Sequence, residues 1–185
     1  MPAITDAKIL ILATHGFEQS ELEVPRDKLR DRGATVHVAT PDGNAINGWD
    51  AKDWGREAQA DLALADVDVA DYDALVLPGG QINPDILRMN EEAIALIKSF
   101  SARGKPIAAV CHAPWLLIEA GLVEGREVTS WPSVRTDLRN AGATVVDRSA
   151  VTSGGLITSR NPNDLDDFIA AIVAKVETGE AHRAA

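Results

Sequence analysis

Short, wholly apolar runs alternate with segments of helical periodicity along this chain, and that alternation limits its folds more than any other feature. "KILILA" (8–13), "TVHVAT" (35–40), "DALVLP" (73–78) and "PIAAV" (106–110) have the length and continuity of buried strands. Between them lie segments with a helical stripe. From Glu91 to Arg103, Ala93, Leu96, Ile97 and Phe100 recur at i, i+3, i+4 and i+7, and Gly104 is placed to end the helix. Leu165, Phe168, Ile169, Ile172, Val173 and Val176 form one stripe of a last helix, about 162–178. "SELEVPRDKLRDRG" (20–33) reads as a helix with Ser20 and Glu23 as a possible capping box and Pro25 about one turn in. Strands buried on both sides and separated by helices predict an α/β fold, a mostly parallel sheet with helices on both faces. Ligands of such sheets bind at the carboxyl ends of the strands, where strand order reverses.

Other segments are less regular. "APWLLIEAG" (113–121) is apolar nearly all round and predicts a buried helix. "AQADLALADV" (58–67) reads as a weak strand, "EVTSW" (127–131) and "TVVD" (144–147) as strands, and "AVTSGGLITS" (150–159) as a hairpin about Gly154–Gly155. "SVRTDLRNAG" (133–142) is a further helix. The 185 residues suit a single domain, 1–185, with about 180–185 as a loose tail.

Composition excludes several function classes. A net charge of −10 and a pI near 4.8 repel phosphate backbones, so neither nucleic acid nor an anionic membrane is an expected partner. No apolar run reaches membrane-spanning length, and the N-terminus lacks the pattern of a secretory signal. One cysteine cannot form an internal disulfide; with the missing signal this reads as a cytoplasmic protein. No His, Cys and carboxylate cluster has zinc-ligand spacing, so no metal is expected.

That cysteine, Cys111 in "AAVCHAP" (108–114), stands where an apolar strand gives way to a helix. A tight turn there aims the sulfur out of the sheet, in the manner of an exposed nucleophile. The helix start brings backbone N–H groups and positive dipole beside it, which favours a thiolate and predicts a depressed pKa. A buried structural thiol is the alternative from position alone. "LPGG" (77–80) ends another strand; the N–H of Gly80 and that of His112 are placed to converge on one oxygen as an oxyanion hole, an ordinary glycine turn being the plainer reading. "HGFEQSELEVP" (15–25) carries Glu18, Glu21 and Glu23 at the entry to a helix, where acids commonly do no more than complement the dipole.

Together, "FEQSELEVP", "DALVLPGG", "PIAAVCHAPWLLIEAGLVEGREVTSWPSVRTDLRNAGATVVD" and "TSRNPNDL" resemble the PfpI-type intracellular protease branch of the DJ-1/PfpI superfamily, in order, from Lys8 to about Val176. "INGWDAKDWG" (46–55) also looks like the hairpin region of bacterial members. The Ala-x-x-Cys-His-x-Pro elbow carries most of the resemblance. It implies a flavodoxin-like three-layer sandwich, no cofactor, and a homodimer or larger assembly. Cys111 matches the family nucleophile, Glu21 the acid that hydrogen-bonds its sulfur, Glu18 a second pocket carboxylate and His112 the triad histidine. Asp85, in "GGQINPDILRMN", matches the third triad member, which is delivered from an adjacent subunit. Trp131 falls where relatives carry an aromatic near the pocket; a core aromatic before Pro132 is the alternative.

Three functions are compatible with these residues. One is a hydrolase of reactive dicarbonyls such as methylglyoxal, or of their adducts with protein or nucleotide amines. Another is a peptidase using a Cys111–His112–Asp85 triad. The third is a redox sensor, with Cys111 oxidised to a sulfinic acid. A role in stress protection accommodates all three.

Overall fold

The computed structural model describes residues 2–178. The tail expected at about 180–185 lies outside the described residues. A seven-stranded sheet forms the centre, in the order β11-β12-β8-β7-β1-β3-β6. These strands are β1 (Lys8–Leu12), β3 (Thr35–Thr40), β6 (Leu62–Ala63), β7 (Ala74–Leu77), β8 (Ile107–Val110), β11 (Ala150–Ser153) and β12 (Leu156–Ser159). All neighbours run parallel except the β11–β12 hairpin. The chain passes from β1 outward to β3 and β6, then returns to β7 on the other side of β1. Strand order therefore reverses between β1 and β7, and a crevice opens at their carboxyl ends.

Alternation along each strand feeds two cores. Leu10, Leu12, Leu75, Leu77 and Ala109 point to one face, under α3 (Glu91–Ala102) and α4 (Pro114–Glu119). Ile9, Ile11, Val76, Ala108 and Val110 point to the other, under α1 (Gln19–Asp31) and α6 (Leu165–Thr178). The architecture is the expected flavodoxin-like sandwich, with every central strand buried on both faces.

Several local expectations shift. The helix α1 starts at Gln19, with Glu18 as N-cap and no side-chain cap bond, so the Ser20–Glu23 capping box does not form. Glu23 is drawn instead to Arg56, whose Nε lies 3.2 Å away. Pro25 sits inside α1 and removes the bond that would close on the Glu21 carbonyl. The weak strand expected over 58–67 shrinks to Leu62–Ala63 followed by short 3-10 turns; Asp68 caps the second of these by accepting the Ala70 N–H. The strand expected over 127–131 ends at Val128, as β9 (Glu127–Val128), which pairs with β10 (Thr144–Val145). It stops because the next N–H groups are used elsewhere: Thr129 donates to Thr158 Oγ1 at 2.9 Å, and Trp131 donates to the Cys111 carbonyl at 2.9 Å. The predicted 133–142 helix forms as α5 (Arg135–Asn140).

A small second sheet flanks the crevice. In it β2 (Phe17–Glu18) pairs parallel to β4 (Ile46–Asp50), and β4 forms a hairpin with β5 (Asp53–Ala58). Glu18 pairs with Trp49, so the hairpin carries an aromatic to the edge of the crevice.

Candidate active site

Cys111 follows the last residue of β8, and its backbone is held in the left-handed region at φ 62°. A residue with a Cβ avoids this conformation, so neighbouring bonds must enforce it. Cys111 N–H donates to the Ser159 carbonyl at 3.0 Å, the Cys111 carbonyl accepts from Trp131, and Ala113 N–H turns back to Val110 at 3.0 Å. These bonds make the strand-to-helix turn predicted from sequence.

The His112 ring faces the sulfur: Nδ1 lies 3.2 Å from Cys111 Sγ. Nε2 lies 3.3 Å from Ser133 Oγ. Trp131 stacks on the ring at 5.8 Å and 26°, and Trp115 closes on it at 5.2 Å and 57°. Trp115 is held in turn by donating its indole N–H to Asp137 at 2.8 Å. Burial holds the His112 pKa below its ordinary value, so the ring is neutral near pH 7.

Glu21 lies in the first turn of α1 with no exposed surface. Its Oε2 accepts the Gly79 N–H at 2.9 Å. Its Oε1 is buried with no hydrogen-bond partner among the described residues, and the carboxyl lies close enough to the Cys111 sulfur for each to shift the other's pKa. Burial, then repulsion from Glu18, pushes Glu21 up to about 8. At neutral pH it is therefore a protonated acid and can donate to sulfur. Glu18 is half-buried at the start of α1, and its own pKa is raised by burial and by Asp50.

Burial also pushes the Cys111 thiol up, and an ionised Glu21 pushes it further. The depression expected from a helix N-terminus is overturned: the thiol lies above its ordinary value because burial and Glu21 outweigh the local N–H groups, and α4 begins only at Pro114, three residues on. What acts against this rise is local. The N–H groups of Gly80 and His112 lie toward the sulfur and favour its ionised form; the oxyanion hole expected from sequence would need them on a substrate oxygen instead.

The two glycines are sterically required. Gly80 has φ 80°, and a Cβ there would lie 2.4 Å from the Gly16 carbonyl oxygen and 2.6 Å from the Glu18 nitrogen. A Cβ on Gly79 would lie 2.5 Å from Glu21 Oε2 and 2.7 Å from Cys111 Cβ. The Pro-Gly-Gly turn thus lets the loop after β7 close on both Glu21 and the nucleophile.

These groups line a cavity of about 360 Å³ together with Glu18, Trp49, Ala51, Gln81, Trp131 and Pro162. A larger hollow, about 440 Å³, lies at the amino ends of β8 and β12 between Lys105, Leu122, Arg126 and the Gly154–Gly155 turn. It contains neither the cysteine nor a buried acid, so the chemistry belongs to the smaller cavity. Among the described residues, no group of three or more His, Cys, Asp or Glu side chains is placed to hold a metal ion.

Of the residues singled out from sequence, Cys111, His112, Glu21, Glu18, Gly80 and Trp131 come together here. Asp85 does not join them within one chain. It is exposed on α2 (Ile82–Leu87), and the ring nitrogens of His112 face Cys111 and Ser133. Ser133, Trp115 and Gly79 are part of the arrangement and were not singled out. Only Gly79 had a local signal, the doubled glycine at a strand end.

A buried cysteine on a strained elbow, between a neutral histidine and a protonated glutamate, defines a cysteine-centred α/β protein of flavodoxin-like architecture. The DJ-1/PfpI family profile matches residues 7–175, and the chain belongs to that family. It is 42% identical over 158 residues to "Deglycase TK1284" of Thermococcus kodakarensis, covering 85% of this chain and 92% of the relative. It is 39% identical to "Deglycase PfpI" of Pyrococcus furiosus over the same shares of each. Among solved structures, Drosophila melanogaster DJ-1beta superposes with a TM-score of 0.83 at 31% identity, over 94% of this chain and 97% of that one.

Proposed function

We propose that the protein is a cofactor-independent hydrolase that uses Cys111 to process reactive dicarbonyls, such as methylglyoxal, or their adducts with amines. The observation that carries this reading is the Glu21–Cys111–His112 alignment in a cavity of about 360 Å³. That volume suits a small aldehyde or the modified tip of a side chain. The names of the two archaeal deglycases support the same class of chemistry.

The steps follow from the residues. The thiol proton passes to His112 Nδ1 and the sulfur adds to the aldehyde carbon; the new alkoxide takes a proton and a hemithioacetal results. The N–H groups of Gly80 and His112 hold the oxygen while it is negative. With an amine adduct, the C–N bond breaks as the C–S bond forms, and the amine leaves with a proton. Glu21 or His112 then moves a proton from the thiol-bearing carbon to its neighbour. This isomerises the hemithioacetal to a hydroxyacyl thioester without an external oxidant. Water cleaves the thioester, releasing a hydroxy acid and the thiol.

Assembly and location complete the proposal. Asp85 acts in a homodimer or larger assembly by reaching His112 of a neighbouring copy. Its exposure on α2, beside Ile86 at 40% and Met89 at 75% exposure, supports an interface there. The single reduced thiol suits the cytoplasm, in a role protective against aldehyde stress.

The test compares methylglyoxal, a methylglyoxal-treated peptide and an unmodified fluorogenic peptide, each with wild type and Cys111→Ala. Turnover of the first two, lost in the variant, is expected. Cys111-dependent cleavage of the unmodified peptide alone replaces this reading with a peptidase. Ready peroxide oxidation of Cys111 with no turnover of any of them replaces it with a sensor.

A further inference from the structure

Asn83 is fully buried in the first turn of α2, and each polar atom of its side chain is engaged. Its Oδ1 accepts the Thr14 N–H at 2.7 Å, just beyond the end of β1. Its Nδ2 donates to the Pro78 carbonyl at 2.8 Å and to the Gly79 carbonyl at 3.2 Å. One side chain thus ties the loop after β1, which leads to Glu18 and Glu21, to the loop after β7.

Which way the glycine N–H groups point follows from these bonds. In a trans peptide the C=O and the following N–H point in opposite directions, and the described residues contain no cis peptide. With the Pro78 carbonyl held by Asn83, the Gly79 N–H must face the other way, and there it meets Glu21 Oε2 at 2.9 Å. The Gly79 carbonyl is held by Asn83 and by the Glu18 N–H at 3.3 Å. The Gly80 N–H is thereby turned to the side of the Cys111 sulfur.

Glycine peptides rotate at little steric cost, so a Pro-Gly-Gly turn does not fix its own donors. Donors that must reorient when charge develops lose most of their catalytic worth. We propose that Asn83 is a positioning residue, whose amide clamps the Pro78–Gly79 and Gly79–Gly80 peptide planes and so preorganises the donors to Glu21 and to the reacting oxygen. Leucine has the same branched skeleton without the amide's donors and acceptor. Packing alone therefore does not call for an amide, and a buried amide is tolerable only because all its groups are paired. The catalytic half of this proposal rests on the oxyanion reading above; the clamp itself does not.

The experiment uses Asn83→Leu in the full chain. With methylglyoxal, kcat is expected to fall about 10²–10³-fold, the worth of one oxyanion donor, while KM changes little because ground-state binding is untouched. The alkylation rate of Cys111 by iodoacetamide, followed against pH, is expected to shift its midpoint upward. Both groups lose an N–H that favours their ionised form. Folded Asn83→Leu with wild-type kcat, or with reduced kcat and stability but an unmoved alkylation midpoint, overturns the proposal; the second result is that of a merely structural residue. If wild type does not turn over methylglyoxal, the proposed reaction fails, and the alkylation midpoint alone decides the clamp. If Asn83→Leu does not fold, NMR relaxation dispersion on wild type decides instead. Gly79 and Gly80 amides free of microsecond–millisecond exchange support a clamp, and exchange confined to them overturns it.

Discussion

Ser133 Oγ lies 3.3 Å from Nε2 of His112, on the side of the ring opposite the sulfur. A neutral imidazole that accepts the thiol proton at Nδ1 carries its own proton at Nε2. Ser133 Oγ can accept a hydrogen bond from that Nε2–H within the same chain, and so favours the tautomer that leaves Nδ1 open toward Cys111. Ser133→Ala is expected to lower kcat by up to about tenfold, the usual worth of one hydrogen bond. His112→Ala is expected to lower it roughly 10²–10⁴-fold. Steady-state kinetics on the two variants checks the order; a Ser133→Ala enzyme as impaired as His112→Ala contradicts it.

Glu21 makes stability depend on pH in an unusual direction for a carboxylate. Its ordinary value is 4.5 and its folded value about 8. Between the two, the folded chain holds a proton that the unfolded chain has released. The Glu21 contribution to stability is therefore full below about pH 4.5, falls as pH rises, and levels off above about pH 8. Glu21→Gln removes this dependence. Its melting temperature is expected to gain on that of wild type between pH 5 and pH 9, by thermal melts at fixed ionic strength. A difference that stays constant across the range means Glu21 is ionised throughout.

Gly80→Ala tests the turn itself. The methyl group would meet the Gly16 carbonyl and Glu18 nitrogen at a φ that L-residues rarely adopt. Strain of this kind costs on the order of 1–3 kcal/mol before any clash with backbone atoms is relieved. A fall in unfolding free energy of at least that size, read from the denaturation midpoint at unchanged m, is expected, with kcat lost as well. An unchanged midpoint means the loop after β7 yields easily.

Asp85 can serve His112 only across an interface. Light scattering is expected to give at least twice the 19.7 kDa of one chain, and Asp85→Asn is expected to lower kcat without altering that mass. A mass that stays at one chain under assay conditions removes Asp85 from the mechanism, with Ser133 as the partner left to His112.

Much of this arrangement could be read from the chain because it is encoded locally. Continuous apolar runs marked β1, β7 and β8, and Cys111 and Gly80 stood at the ends of two of them. The remainder depends on contacts between residues far apart in sequence. Asn83 reads locally as an ordinary helix start, yet its partners are Thr14, Pro78 and Gly79. Ser133 has no motif, and becomes a partner of His112 only because the Trp131 N–H leaves the strand ladder for the Cys111 carbonyl. By residue type and spacing alone Glu18, Glu21 and Glu23 look equivalent, and only the family resemblance sets Glu21 and Glu18 apart. The fold gives one to the pocket rim, one to the sulfur and one to Arg56.

The left-handed backbone at Cys111 sets the interests of folding against those of chemistry. Glycine adopts φ 62° without penalty, so Cys111→Gly relieves the turn at the one position whose side chain the reaction needs. A search for hardier variants that ignores activity will therefore be drawn toward discarding the nucleophile, and one that retains it must find its gains elsewhere.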